Sequence, residues 1–154
     1  MAVKPTEINR FTVKFPSRSA NESFARTMAA AFIAQLDPTL DELGDVKTAV
    51  SEAVTNAIVH GYRDRIGDIT MTVRLLEPDT VEIVIADKGC GIPDISAARE
   101  PLFTTGGAER SGMGFTIMES FMDSLRIRST PGRGTSITMC KRLNTRRYIS
   151  GGGR

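Results

Sequence analysis

The sequence predicts an α/β fold, a two-layer sandwich with a mixed, largely antiparallel sheet and its helices on one face. Three observations carry this. Five short apolar stretches read as strands, three longer ones have the three-and-four spacing of helices, and they alternate as strand, two helices, two strands, loop, helix, two strands. Strands joined by such short connections suit hairpins rather than parallel βαβ units.

The first strand covers residues 8–15, with Phe11, Val13 and Phe15 on one side, and Pro16 ends it. Ser19-Ala-Asn-Glu22 has the form of a capping box, in which the serine hydroxyl accepts from the Glu22 amide and the glutamate reaches back. The helix behind it runs to about Leu36 and is expected to bury Phe24, Met28, Phe32 and Leu36. Thr39-Leu-Asp-Glu42, just after Pro38, is a second capping box. Its helix carries Leu43, Val46, Val50, Val54 and Ile58 and runs to about His60, where Gly61 stops it. Strands at 69–76 and 80–86 join around Pro78-Asp79. Residues 87–93 form a glycine-rich turn, 95–110 a short helix and then a mobile loop, and 113–122 a third helix. Strands at 125–129 and 135–139 are linked by Pro131-Gly-Arg-Gly134.

Composition bounds the function classes. The 154 residues, 40% hydrophobic and 25% charged, suit one ordered domain over 1–144, with a disordered tail at 145–154. A net charge of +2 does not favour direct nucleic-acid binding. The basic run Lys141, Arg142, Arg146 and Arg147 reads as a solvated tail. No stretch approaches the ~20 apolar residues of a membrane span, and the first ten residues lack the apolar core of a signal peptide. The two cysteines, Cys90 and Cys140, have no metal-binding spacing, so a reduced, cytoplasmic protein is expected. One histidine rules out any mechanism that needs two.

Three clusters carry candidate chemistry. Glu52, Asn56 and His60 follow one another at i, i+4 and i+8 on the second helix, in a stripe beside its buried face. Such a stripe is commonly only a solvated face, but an Asn oxygen there suits Mg²⁺ completed by phosphates, and Glu52 is placed to take a proton. Asp87-Lys-Gly-Cys-Gly91 follows an apolar strand, where an aspartate can accept from an adenine amino group while glycines let the backbone approach the base. In isolation it is equally an ordinary turn. Ser111-Gly-Met-Gly114-Phe115 opens the third helix, whose free N–H groups suit phosphate. It is neither a P-loop nor a dinucleotide fingerprint.

In combination these clusters resemble the ATP site of the GHKL superfamily, the Bergerat-type α/β sandwich shared with histidine-kinase catalytic domains and type II topoisomerases. The resemblance runs from Phe11 to Met139. The stretches Asn21-Glu-Ser-Phe-Ala-Arg26, Ser51-Glu-Ala-Val-Thr-Asn-Ala-Ile-Val-His-Gly61, Pro101-Leu-Phe-Thr-Thr105 and Glu109-Arg-Ser-Gly-Met-Gly-Phe-Thr-Ile-Met-Glu119 are similar to the small anti-sigma serine kinases of sporulation. Their general-stress counterparts are similar in the ATP motifs and less so in the loop and first helix. The resemblance implies ATP, ADP and Mg²⁺ as cofactors, with Glu52 as catalytic base and Asn56 as the Mg²⁺ ligand. It implies nucleotide contacts from Asp87, Gly89, Gly91, Thr104, Thr105, Gly112, Gly114, Phe115 and Thr135. Arg110 would offset charge on the γ-phosphoryl group. Arg26, by composition a surface arginine, becomes a contact for a sigma factor of RNA polymerase and for a competing anti-anti-sigma protein, the serine substrate. A homodimer is also implied. His60 is expected to serve the helix end rather than catalysis, and Cys90 to take no part in the chemistry.

Overall fold

The computed structural model describes residues 4–99 and 114–144. Among them, five strands form one sheet: β1 (Glu7–Pro16), β2 (Asp68–Leu76), β3 (Thr80–Asp87), β4 (Ser124–Thr130) and β5 (Gly134–Arg142), in the order β1-β2-β3-β5-β4. The sheet expected to be mixed and largely antiparallel is antiparallel at each of these pairings. The helices are α1 (Ala20–Ile33), extended by a 3₁₀ turn at Ala34–Leu36, α2 (Leu40–Asn56), α3 (Ile95–Ala98) and α4 (Gly114–Phe121).

Period-two alternation makes the sheet two-faced. Ile69, Met71, Val73 and Leu75 of β2, Val81, Ile83 and Ile85 of β3, and Ile137 and Met139 of β5 point to the helices and are buried. Each such aliphatic side chain contributes about 1.5–3 kcal/mol on leaving water. The other face is polar and open: Thr12 lies beside Thr72, and Arg74 bridges Glu7 and Glu82, each at 2.8 Å. Hydrogen bonds from Arg10 and then Arg74 hold the Glu7 carboxyl at about 2. On the covered face, α2 packs against α1 and α4, while α1 also meets β2 and α4 meets β4. No helix among the described residues is long and apolar enough to cross a membrane.

The capping box at Thr39 forms as expected: the Glu42 amide donates to its hydroxyl at 3.1 Å and the Thr39 amide to the Glu42 carboxylate at 2.8 Å. The one expected at Ser19 does not. A cap needs extended backbone, which Thr39 has at ψ 165°, whereas Ser19 is already helical at φ −59°, ψ −31°. The Glu22 amide therefore donates to the Ser19 carbonyl, at 3.2 Å, and the Asn21 side chain ties the start to the Pro16 carbonyl at 3.0 Å.

The buried stripe of α1 also differs from expectation. Ala25, Ala29, Ile33 and Leu36 are buried, Met28 and Phe32 are partly covered, and Phe24 is 52% exposed. Alanines at the contact let α1 lie close against α2, which turns the larger side chains to the margin. There Phe32 meets Phe11 edge-on with ring centres 4.7 Å apart.

β5 runs further than expected and takes part of the basic run with it. Lys141 donates to the Phe121 carbonyl at 2.8 Å and pairs with Asp45 at 3.4 Å. Arg142 pairs with the buried Asp79 at 3.3 Å, and the Asn144 amide donates to Glu42. Lys141 and Arg142 thus secure the end of the sheet rather than belonging to a solvated tail; Arg146 and Arg147 lie outside the described residues.

Candidate functional site

The site is built where α2 ends. After Asn56 the helix widens into a π turn, Ala57–Gly61, marked by the Tyr62 amide donating to the Ala57 carbonyl at 3.0 Å. Single π turns inside α-helices occur frequently at functional sites. This one interrupts the α-helical repeat between Asn56 and His60. It presents the carbonyls of His60 and Gly61 at a helix end, where they need partners from outside the helix. The glycine-rich turn supplies both: the Cys90 thiol donates to the His60 carbonyl and the Cys90 amide to the Gly61 carbonyl, each at 2.9 Å. His60 accordingly serves the helix end through its main chain.

The two segments meet backbone to backbone. A Cβ on Gly89 would lie 2.1 Å from the Gly61 carbonyl oxygen, and one on Gly61 would lie 3.0 Å from the Asp87 carboxylate. Gly91 turns the chain away at φ +77°, a region open to glycine.

Asp87 ends β3 directly opposite Thr135 of β5. Its carboxylate accepts from the Gly89 amide at 2.8 Å and from the Thr135 backbone. Burial pushes the Asp87 carboxyl above the ordinary aspartate value, against the pull of those two hydrogen bonds. A carboxylate offers about four lone-pair sites, so these two donors leave capacity for an amine. Thr135 is buried with its hydroxyl 2.9 Å from the Ser129 hydroxyl.

The second end lies along α2. Glu52 and Asn56, one turn apart, are half-buried. Gly114, the first residue of α4, faces Glu52: a Cβ there would sit 3.3 Å from Oε2. Phe115 and Met118 of α4 are buried. From Glu52 to Gly61 the helix rises about 13 Å, separating a carboxylate at a helix N-terminus from a carboxylate in a glycine turn. Among the described residues, no group of three or more His, Cys, Asp or Glu side chains could hold a metal ion. A cation here would draw on Asn56 and on its own ligand's oxygens, as Mg²⁺ does with phosphates.

The structure thus brings Asp87, Gly89, Gly91 and Thr135 together beyond the C-terminal end of α2, beside the π turn, and Glu52 and Gly114 further back along the last turns of α2, with Asn56 between. Arg26 stands apart on α1, half-buried and 4.0 Å from Glu22. Thr104, Thr105, Arg110 and Gly112 lie outside the described residues.

Two residues at the first end escape sequence reading. The Tyr62 hydroxyl accepts from the Lys88 amide at 2.7 Å and donates to the Asp68 carbonyl at 2.6 Å. Its signal is a tyrosine directly after the helix-stop glycine, since a buried tyrosine hydroxyl requires partners. Ser129 accepts from the Ile92 amide at 2.7 Å and lies 3.1 Å from the Gly134 carbonyl, joining the turn to the β4–β5 hairpin. Nothing in the pattern around Ser129 marks it.

The family described as Histidine kinase-like ATPase domain matches residues 15–141. An anti-sigma F factor of Caldanaerobacter subterraneus is 53% identical over 140 residues, covering 90% of this chain and 97% of that protein. An anti-sigma F factor of Bacillus licheniformis is 56% identical over 138 residues, covering 88% and 94%. Among solved structures, a mycobacterial sensor histidine kinase, MprB, superposes with a TM-score of 0.53 at 22% identity, over 66% of this chain and 72% of that one, a likeness of fold.

Proposed function

We propose, because this chain belongs to the histidine kinase-like ATPase domain family and to the anti-sigma F factors within it, that it is a nucleotide-driven anti-sigma factor and serine kinase. It holds a sporulation sigma factor of RNA polymerase and, using ATP, phosphorylates a serine of the anti-anti-sigma protein that competes for it. The observation that carries this is the contact of Gly61 with Asp87 and Gly89. It holds the Asp87 turn against the end of the helix that carries Asn56 and Glu52.

Each residue then has a task. Asp87 accepts from the adenine amino group, Gly89 and Gly91 let the backbone approach the base, and Thr135 supports the Asp87 carboxylate. Gly112, Gly114 and Phe115 shape the phosphate end with Thr104 and Thr105. Asn56 is the oxygen donor for Mg²⁺, which offsets phosphate charge when bound. Glu52 takes the proton from the substrate serine hydroxyl as its oxygen attacks the γ-phosphorus, the bond from that phosphorus to the β–γ bridging oxygen breaks, ADP leaves, and Arg110 offsets the charge that develops. The phosphoserine formed carries about −1.5 to −2 charge and weakens the competitor's docking.

Arg26, on the exposed side of α1, anchors both partners through its forked donor group. A homodimer forms through β1 and α1, whose margin leaves Phe24 and Ile8 exposed. Residues 1–144 act as a single cytoplasmic domain, with 145–154 as its tail.

The test is phosphotransfer from ATP to the purified anti-anti-sigma protein with Glu52→Gln. Nucleotide binding is expected to persist and phosphotransfer to be lost; transfer at the wild-type rate would remove Glu52 as the base. Pull-down from lysate in Mg²⁺–ATP and in Mg²⁺–ADP, with partners identified by mass, should retain a sigma factor in ATP. Failure to capture a sigma factor with either nucleotide would defeat the anti-sigma reading.

A further inference from the structure

The turn that carries Asp87 is gripped from outside at one residue in particular. The Lys88 amide donates to the Tyr62 hydroxyl at 2.7 Å, and the Lys88 carbonyl accepts from the Arg65 guanidinium at 3.0 Å. The two gripping side chains also touch each other, Arg65 lying 5.2 Å over the Tyr62 ring centre. Tyr62 is itself fixed. It is 4% exposed, its hydroxyl donates to Asp68 at 2.6 Å, and the absence of a side chain at Gly67 makes room for its ring. A Cβ on Gly67 would lie 2.2 Å from that ring. The segment that leaves the π turn therefore folds back and clamps both main-chain groups of the residue between Asp87 and Gly89.

We propose that Tyr62 and Arg65 are positioning residues that set the purine preference of the site. A carboxylate only accepts hydrogen bonds. Held still, it welcomes an exocyclic amine and repels a carbonyl at the same position, which separates adenine from guanine. A site rejects the wrong hydrogen-bonding partner only while its own polar group cannot turn aside. Asp87 immediately precedes the clamped residue, so freedom at Lys88 becomes freedom of the carboxylate to avoid a guanine carbonyl. The inference rests on the reading of Asp87 as the adenine acceptor.

The experiment is calorimetric titration with ADP and with GDP of the full chain and of Tyr62→Phe, Arg65→Gln, the double variant and Asp87→Asn. Tyr62→Phe keeps the packed ring and removes only the hydroxyl; Arg65 is exposed, so Arg65→Gln spares the core. The ADP-over-GDP preference is expected to fall roughly 3- to 10-fold with either single change, the worth of one hydrogen bond, and further in the double variant. A preference equal to wild type in both single variants, with ADP and GDP weakened together or not at all, overturns the proposal and leaves the pair a purely structural role. If Tyr62→Phe fails to fold, Arg65→Gln alone decides between these results. Asp87→Asn separates the two levels. If it retains the wild-type preference, the adenine reading itself fails; if it loses the preference while the clamp variants keep it, only the clamp fails.

Discussion

Replacing Gly89 by alanine tests the central contact of the site. The added Cβ would lie 2.1 Å from the Gly61 carbonyl oxygen, 2.4 Å from its carbon and 2.7 Å from its Cα, all backbone atoms that no rotamer change can move. Ordinary contact lies near 3.5 Å, so the turn and the π turn must part by more than about 1 Å. The hydrogen bond from the Cys90 amide to the Gly61 carbonyl, now 2.9 Å, then lies beyond bonding range. Overpacking of this kind costs about 1–3 kcal/mol, and the broken bond about another 1–2 kcal/mol at a junction that is only partly covered. The sum, roughly 2–5 kcal/mol, corresponds to a melting midpoint lower by roughly 5–20 °C for a chain of this size. Gly44 provides the opposing control. It sits inside α2, and a Cβ added there would have nothing within 4 Å, so Gly44→Ala should gain about 0.5–1 kcal/mol. Urea and thermal unfolding measure both, with ADP calorimetry alongside. A Gly89→Ala protein that melts with the wild type and binds ADP equally well would refute the contact.

Two further outcomes follow from the site. Asp87 accepts most strongly from the adenine amine when ionised, and burial raises its carboxyl above the ordinary value of 3.8, so ADP affinity should begin to fall on acidification sooner than an unshifted aspartate would allow. Folding stability moves the other way. A carboxyl raised in the folded state costs stability while it is ionised, above its folded value, and that cost disappears below the unfolded value. Calorimetry from about pH 4 to 7 on wild type and Asp87→Asn checks this; an equal pH dependence in both would exclude Asp87 as the titrating group. Asn56→Ala should weaken ADP binding in Mg²⁺ but not in a chelator, and an unchanged Mg²⁺ enhancement would remove Asn56 as the ligand.

Much of the fold and half of the site were legible because they are local. Alternation along β2 and β3 marked the buried face, and Thr39 with Glu42 marked where α2 begins. The Asp87-to-Gly91 turn and the Glu52–Asn56 pair stood out by residue type and spacing. Ser19 and Glu22 show where such reading ends. They carry the same pattern as Thr39 and Glu42, yet the backbone at Ser19 is already helical and the cap does not form. Phe24 looked like core and is exposed, while alanines beside it are buried, because the close approach of α2 selects the small side chains.

What the sequence by itself determined is the period of each element, the positions of its turns and the inventory of acid, amide and glycine. Tertiary structure alone decided that Gly61 meets Asp87 and Gly89, that Gly114 meets Glu52, and that Tyr62 reaches across to Lys88. Periodicity and turn geometry arise from neighbours along the chain. Which distant backbone a residue touches depends on how whole elements pack, and only there does a glycine become a point of contact or a tyrosine a clamp.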